Sequence, residues 1–279
     1  MFNTLFIDWN PDVVAFHLGP FAVRWYSLCW CIGLLSVYML MHRMFREQDL
    51  KEEQFDPMFL YCFAGILIGA RLGQCLFYEP EFFLALPLEM ILPVKLGADG
   101  SWHFTGYEGL ASHGGTIGLI AALWFFARKV HITYLHVLDN VSIVTPVTAM
   151  FIRLGNLMNS EIIGKVTDVP WAFIFLRVDD LPRHPGQLYE AIAYAILFFI
   201  MWAIYKRSRQ TGKPRVGTGW YFGFCLAYIF TFRFFIEYTK DVQEAWEADM
   251  LFNMGQLLSV PFILIGAYCM LRAKKSETV

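Results

Sequence analysis

Between Phe151 and Glu161 the sequence reads Phe-Ile-Arg-Leu-Gly-Asn-Leu-Met-Asn-Ser-Glu, closing an apolar run that begins near Val137 and is long enough to cross a bilayer. Arg153, Asn156, Asn159 and Glu161 therefore fall where apolar side chains are expected. On a helix, Arg153, Asn156 and Ser160 follow an i, i+3, i+7 pattern and share a face. A charged side chain at bilayer depth costs about 2.5–3.5 kcal/mol on insertion scales, so such residues face a bundle interior, a cavity or a partner. Arginine offers a planar fork suited to phosphate, and the asparagines and glutamate offer groups that orient it. A second group, His113-Gly114-Gly115, places an imidazole that titrates near neutral pH at a helix start. The two glycines leave room for backbone to approach a ligand. The bland readings are a structural ion pair for Arg153 and a hydrogen-bonded interfacial histidine for His113, and the sequence leaves both open.

The elements that must hold these groups are transmembrane helices. The 279 residues are 57% hydrophobic and only 16% charged, with a mean hydropathy of +0.46. A soluble domain has about 25% charged residues, so the chain reads as an all-α polytopic membrane protein. A net charge of −2 argues against a nucleic-acid partner. The start does not read as a secretory signal, since its first basic residue is Arg24 and Asp8 and Asp12 interrupt the early apolar residues. The six cysteines all lie in apolar segments without a CxxC pair, so neither a disulfide framework nor a metal site is expected.

Seven segments are long enough to span, at about 24–42, 57–78, 112–128, 137–157, 186–205, 217–237 and 251–271. Asp56-Pro57 suits the N-cap and first turn of the second. Gly65, Gly69 and Gly73, and likewise Gly219 and Gly223, read as close-packing faces between helices. Lys and Arg concentrate after segments one, three and five and in the C-terminal tail, which by the positive-inside rule puts the N-terminus outside and the C-terminus inside. The 79–111 and 159–185 loops would form a small outer head, with a short strand in Trp171–Phe175. No linker or repeat divides residues 1–279, so one domain is expected.

With this orientation most buried polar residues collect in one outer layer, Arg24, Tyr26, Arg71, His113, Arg153, Asn156, Glu161, His184, Gln187, Tyr189, Glu190, Arg233, Glu237 and Gln256, with Asp139 and Asn140 at the inner end of segment four as the main exceptions. Arg24 and Arg71 suit Arg–Glu clamps; Arg153 and Arg233 suit an anionic phospholipid headgroup. A transporter of small solutes or lipids, the alternative from another class, would instead need polar residues at mid-depth and a repeat between halves.

These blocks resemble prolipoprotein diacylglyceryl transferases over nearly the whole chain. The resemblance rests on Arg24-Trp-Tyr26, Ala70-Arg-Leu-Gly73, His113-Gly-Gly-Thr-Ile-Gly118, Arg153-Leu-Gly-Asn-Leu-Met-Asn-Ser-Glu161, His184-Pro-Gly-Gln-Leu-Tyr-Glu-Ala191, Arg233-Phe-Phe-Ile-Glu237 and Gly255-Gln-Leu-Leu-Ser-Val-Pro261. Lys240 stands where a second arginine is usual, keeping the charge without the fork, so no phosphate role is given to it. The resemblance implies an enzyme of the bacterial inner membrane, with its site towards the periplasmic leaflet. It would transfer the diacylglyceryl group of phosphatidylglycerol to the lipobox cysteine of a preprolipoprotein signal peptide, with membrane lipid around it and no metal or organic cofactor. His113 would assist thiol deprotonation. Arg153 would grip the lipid phosphate and Arg233 stabilise the leaving group, or the two roles would be exchanged. Tyr26, Asn156, Glu161, Gln187, Tyr189 and Glu237 would bind and orient substrate.

Overall fold

A computed structural model describes residues 6–77, 81, 89, 92, 94–96, 101–104, 111–240 and 252–276. The chain divides into two compact units, residues 1–44 with 138–279, and residues 45–137.

In the larger unit, strand β1 (Ile7–Trp9) precedes a hairpin of β2 (Val14–Leu18) and β3 (Phe21–Arg24), which leads directly into α1 (Trp25–Glu47). α4 (Tyr134–Asn159) is followed by strands β6 (Phe173–Phe175) and β7 (Pro182–Arg183), then α5 (Gly186–Gln210), α6 (Trp220–Ile236), a 3-10 turn at Glu237–Thr239 and α7 (Met254–Ser276). The smaller unit holds α2 (Glu52–Phe77), a hairpin of β4 (Val94–Leu96) with β5 (Trp102–Phe104), and α3 (Ser112–Lys129). Helices thus form at each of the seven expected segments.

Five of them, α1, α2, α4, α5 and α7, are long and apolar enough to cross a membrane by length and composition. The chain is a multi-pass membrane protein. α3 and α6 fall outside that set: 17 residues of α6 rise only about 26 Å against a hydrocarbon core of about 30 Å.

Two expectations need correction. α2 begins at Glu52, so Pro57 lies inside the helix rather than in its first turn; the start is fixed by Gln54, whose Oε1 accepts from the Lys51 amide at 2.9 Å. The outer head is not made by the 79–111 and 159–185 loops alone, nor is the chain purely α. β6 sits between β7 and the N-terminal strand β1, pairing parallel with the latter from Ile7↔Phe173 to Trp9↔Phe175. Phe173 and Phe175 pack on Leu157 at the end of α4, with Trp9, Ile163 and Leu188 around them. Trp9 donates its indole N–H to the Leu157 carbonyl at 2.9 Å. Arg177 donates to the carbonyls of Pro11 at 2.6 Å and Met158 at 2.7 Å, one of the last carbonyls of α4. The head is therefore a cap on α4. The rest of 79–111, apart from β4–β5 and a few single residues, lies outside the described residues.

Glycines set two helix contacts. A Cβ on Gly118 would lie 2.0 Å from the Gly65 carbonyl oxygen, and one on Gly114 would lie 2.2 Å from that of Gly69. Gly114 therefore serves the α2–α3 contact, which replaces the reading of it as room for a ligand. In the larger unit Gly223 meets Gly266 in the same way, with a Cβ at 2.6 Å from its carbonyl oxygen. Gly219 is buried and takes φ 83° just before α6.

The start of α6 is held by Asp139 on α4. Its carboxylate accepts the amides of Gly217 at 2.9 Å, Gly219 at 2.8 Å and Phe222 at 2.9 Å. A negative charge there satisfies orphan N–H groups and opposes the helix dipole.

Gly118→Ala, which must push two backbones apart, is expected to cost about 1–3 kcal/mol and to lower the unfolding midpoint in detergent. Gly115→Ala, whose Cβ would find ordinary contact at 3.4 Å with Ala70, should leave that midpoint unchanged.

Candidate polar site

The larger unit gathers most of the expected polar layer around one buried carboxylate. α4 ends in a Schellman-type turn: Glu161 N–H donates to the Asn156 carbonyl at 2.9 Å and Ser160 N–H to that of Leu157 at 3.1 Å, with Ser160 at φ 56°. Ser160 is thus past the helix, not on its face. The turn folds Glu161 back so that its two oxygens accept from Asn156 Nδ2 at 2.9 Å and Asn159 Nδ2 at 3.0 Å. Asn156 in turn accepts from Arg153 Nη1 at 3.4 Å.

Arg153 Nε is ion-paired with Glu190 Oε2 on α5. The other oxygen of Glu190 accepts from Lys240 Nζ at 3.0 Å, and Glu237 Oε2 lies 3.7 Å from the same ammonium. Glu190 is 3% exposed whereas Arg153 is 20% exposed, so the acid is sealed in and part of the guanidinium still reaches outward. On α5, Gln187, Glu190 and Tyr194 are spaced i, i+3, i+7 on one face. Tyr194 lies within electrostatic range of Arg153 and Arg233. Arg233 itself is exposed and has no carboxylate partner among the described residues.

Tyr26, in the first turn of α1, lies against α4 beside Asn156, because a Cβ on Gly155 would be 2.9 Å from its ring. The Glu237 carboxylate sits over the first turn of α7, where a Cβ on Gly255 would be 2.9 Å from its Cδ. That turn is closed by a reciprocal cap: Asn253 Oδ1 accepts from the Gln256 amide at 2.9 Å, and Gln256 Oε1 from the Asn253 amide at 3.2 Å. The Gln256 side chain also donates to the Phe234 carbonyl at 3.2 Å, tying α7 to α6.

The backbone beyond Glu161 is strained and pinned. Ile162 has φ 57°, rare for a β-branched residue. Gly164 donates to the His184 carbonyl at 2.9 Å and Lys165 to that of Thr239 at 2.7 Å. A Cβ on Gly164 would lie 2.6 Å from the Thr239 oxygen and 2.7 Å from the His184 Cβ, so only glycine fits there.

Buried polar atoms that lack a hydrogen bond among the described residues belong to Ser160, Gln187, Glu190, Glu237 and Tyr221, and of these Glu190 Oε2 and Glu237 Oε2 are ion-paired with Arg153 and Lys240. All but Tyr221 lie in this layer, and Gln187 is fully buried with both amide atoms open. A buried unsatisfied group costs about 1–3 kcal/mol, so a concentration of them calls for strain, a functional role, water or an ion to account for it.

The remaining expected site residues have surroundings of their own. The side chain of His113 lies outside those described; its backbone is in the first turn of α3. Arg71, in the smaller unit, is buried and donates to the Glu89 carbonyl, which is a clamp, though to backbone oxygen. Arg24 is an exposed strand residue. Tyr189 has its hydroxyl engaged, accepting from Trp171 Nε1 at 2.8 Å and lying 3.2 Å from His184 Nδ1. Arg183 holds the Asp179 carboxyl below the usual carboxylate range through a forked contact, Nε at 2.9 Å and Nη2 at 2.6 Å from Oδ2. A groove of about 750 Å³ runs along α2 and α3, but its walls are apolar, so it suits hydrocarbon and not the reacting groups.

Residues 13–272 match the family model described as prolipoprotein diacylglyceryl transferase. The chain belongs to the prolipoprotein diacylglyceryl transferase family. It is 54% identical over 275 residues to the phosphatidylglycerol–prolipoprotein diacylglyceryl transferase of Bacteroides fragilis, covering 99% of this chain and 98% of that one. It is 43% identical to the enzyme of the same name from Tolumonas auensis, over 96% and 98% of the two chains, and 42% identical to that of Chloroherpeton thalassium, over 97% and 95%. The match covers the smaller unit whole and residues 13–44 and 138–272 of the larger.

Lys240 and Tyr194 are what sequence reasoning missed. Lys240 was set aside for lacking a fork, yet a point charge is what completes Glu190; its i+3 spacing from Glu237 was the available signal. Tyr194 was announced by its heptad spacing from Gln187.

Lys240→Met, which leaves buried Glu237 without its cation and Glu190 with Arg153 alone, is expected to cost about 3–5 kcal/mol, with Lys240→Arg recovering most of the unfolding midpoint. Burial pushes His184 below its ordinary value, so the unfolded chain protonates first on acidification. Protection of residues 171–185 from hydrogen exchange should therefore fall as pH drops below about 6.5 and level off below the folded-state value.

Proposed function

We propose that the chain transfers the diacylglyceryl group of phosphatidylglycerol to the thiol of the lipobox cysteine in a preprolipoprotein signal peptide. The product is a thioether, and glycerol phosphate leaves. The family match over residues 13–272 carries the reaction class; the open, buried polar atoms around Glu190 carry the location.

The chemistry sets what the residues must do. A free thiol has a pKa near 8.5, so a base has to remove its proton, and His113 is the candidate. The thiolate sulfur then attacks the glycerol carbon that bears the phosphate. The C–S bond forms, the C–O bond breaks, and the electron pair stays on the phosphate oxygen. Positive charge close to that oxygen stabilises the transition state more than the bound lipid. Arg153, held in place by Glu190 and Asn156, grips the phosphate, and Arg233, with no carboxylate partner among the described residues, stabilises the leaving group. Asn156, Glu161 and Tyr26 orient the headgroup. Gln187 meets it with its open amide atoms, Glu237 orients it from beside Lys240, and Tyr189 steadies the wall they stand on. The nucleophile belongs to the substrate, which agrees with cysteines that all sit in apolar helices.

In this reading α3 and α6 also cross, giving seven spans with the N-terminus outside and the C-terminus inside. α6 gains its missing length from the 3-10 turn that follows it. The chain acts as one domain in the bacterial inner membrane, with the site towards the periplasmic leaflet.

The test is a reconstituted assay with phosphatidylglycerol and a lipobox peptide, read by mass spectrometry. A diacylglyceryl adduct on the cysteine is expected, and its absence with folded protein and intact lipid would overturn the reading. Arg153→Ala should lower turnover by roughly 10²–10³. His113→Gln should lower it by at least about 10²; near-normal turnover would refute the base assignment.

A further inference from the structure

The hairpin β2–β3 has an amphipathic design that the proposed reaction does not use. Its register pairs Leu18 with Phe21, His17 with Ala22 and Phe16 with Val23. Opposed residues and their i+2 neighbours share a face. One face therefore carries Phe16, Leu18, Phe21 and Val23, and the other carries His17 and Ala22. The apolar face is uncovered: Phe16 is 49%, Leu18 68% and Phe21 72% exposed. The two-residue turn, Gly19-Pro20, has Gly19 at φ 59°, the type II′ arrangement that keeps such a hairpin tight. The base is fastened as well. Val14 N–H donates to Asp12 Oδ1 at 2.8 Å, and Trp25 N–H donates to the Val13 carbonyl at 3.0 Å.

What covers the face follows from where the hairpin ends. β3 finishes at Arg24 and α1, long and apolar enough to span, starts at Trp25 with no intervening residue. The tip is thus no more than about 17 Å of strand from the first turn of a membrane helix. Standing upright, it would hold three large apolar side chains in water. Lying flat, it buries them about 5–10 Å deep at the boundary of headgroups and acyl chains, with His17 turned to water. Arg24 and Trp25 are residue types that favour that boundary.

We infer that the hairpin is a membrane-surface anchor, with the Phe16–Leu18–Phe21–Val23 face inserted in the lipid interface beside the start of α1. It fixes the depth of Tyr26, and with it that of Gly155 and Asn156. The inference rests on α1 crossing the membrane.

The test places the photoreactive residue p-benzoylphenylalanine singly at Leu18, Phe21, His17 and Leu35 of the full chain. Leu35 is an exposed residue in the middle of α1. Each protein is reconstituted in vesicles of phosphatidylcholine and phosphatidylglycerol, irradiated and analysed by mass spectrometry. Lipid adducts at Leu18 and Phe21 in yields comparable to Leu35, with loss of adduct at His17, are expected. Adducts at Leu35 but not at Leu18 or Phe21 would overturn the anchor and leave the span standing. No adduct at Leu35 would remove the span and the anchor together. Crosslinks at Phe21 to a second copy of the chain would show that the face is a protein contact instead.

Discussion

The structure of the larger unit depends on how Glu190 is shared. A carboxylate this deeply buried is tolerated only if its charge and lone pairs are answered. Arg153 on α4 answers one oxygen and Lys240, beyond α6, the other. One side chain therefore joins three stretches of chain that no sequence neighbourhood brings together. The arrangement also decides what charge is left over. Lys240 shares the burden of neutralising Glu190, so Arg153 keeps part of its positive field for an incoming phosphate while its position stays fixed.

The segment after Glu161 is the complement of that fixed point. Positive φ values at Ser160 and Ile162 cost of order 1–3 kcal/mol each. Such strain persists only where surroundings over-determine it, and here they do: the Schellman turn holds one side and the bonds of Gly164 and Lys165 hold the other. The result is an acid, Glu161, presented by backbone geometry and oriented by two asparagines.

The helices were legible because a bilayer leaves few alternatives. Every backbone group must be satisfied within its own segment, so length and apolarity alone disclose α1, α2, α4, α5 and α7 as long enough to cross. The cluster of Arg153, Asn156 and Glu161 was legible for the same reason, since polar groups at the end of so apolar a helix need a purpose. The glycine pattern of Gly65, Gly69 and Gly73 was read correctly as packing, but its partner face was not, and Gly114 was taken for a ligand contact. The parallel pairing of β1 with β6 joins Ile7 to Phe173; three-residue strands so far apart leave no periodicity to find. Lys240 was undervalued because its chemistry was compared with phosphate recognition, whereas its job is set by a carboxylate fifty residues earlier, Glu190.

Asp139 has a reach beyond the turn it caps. By gripping the amides of Gly217, Gly219 and Phe222 it fixes the rotation of α6 about its own axis. Phe222 and Arg233 are about three whole turns apart, so they share nearly the same azimuth some 16 Å along the helix. The acid at one end of α6 works as a key in a slot, and the compass bearing of the arginine at the other end is set by it.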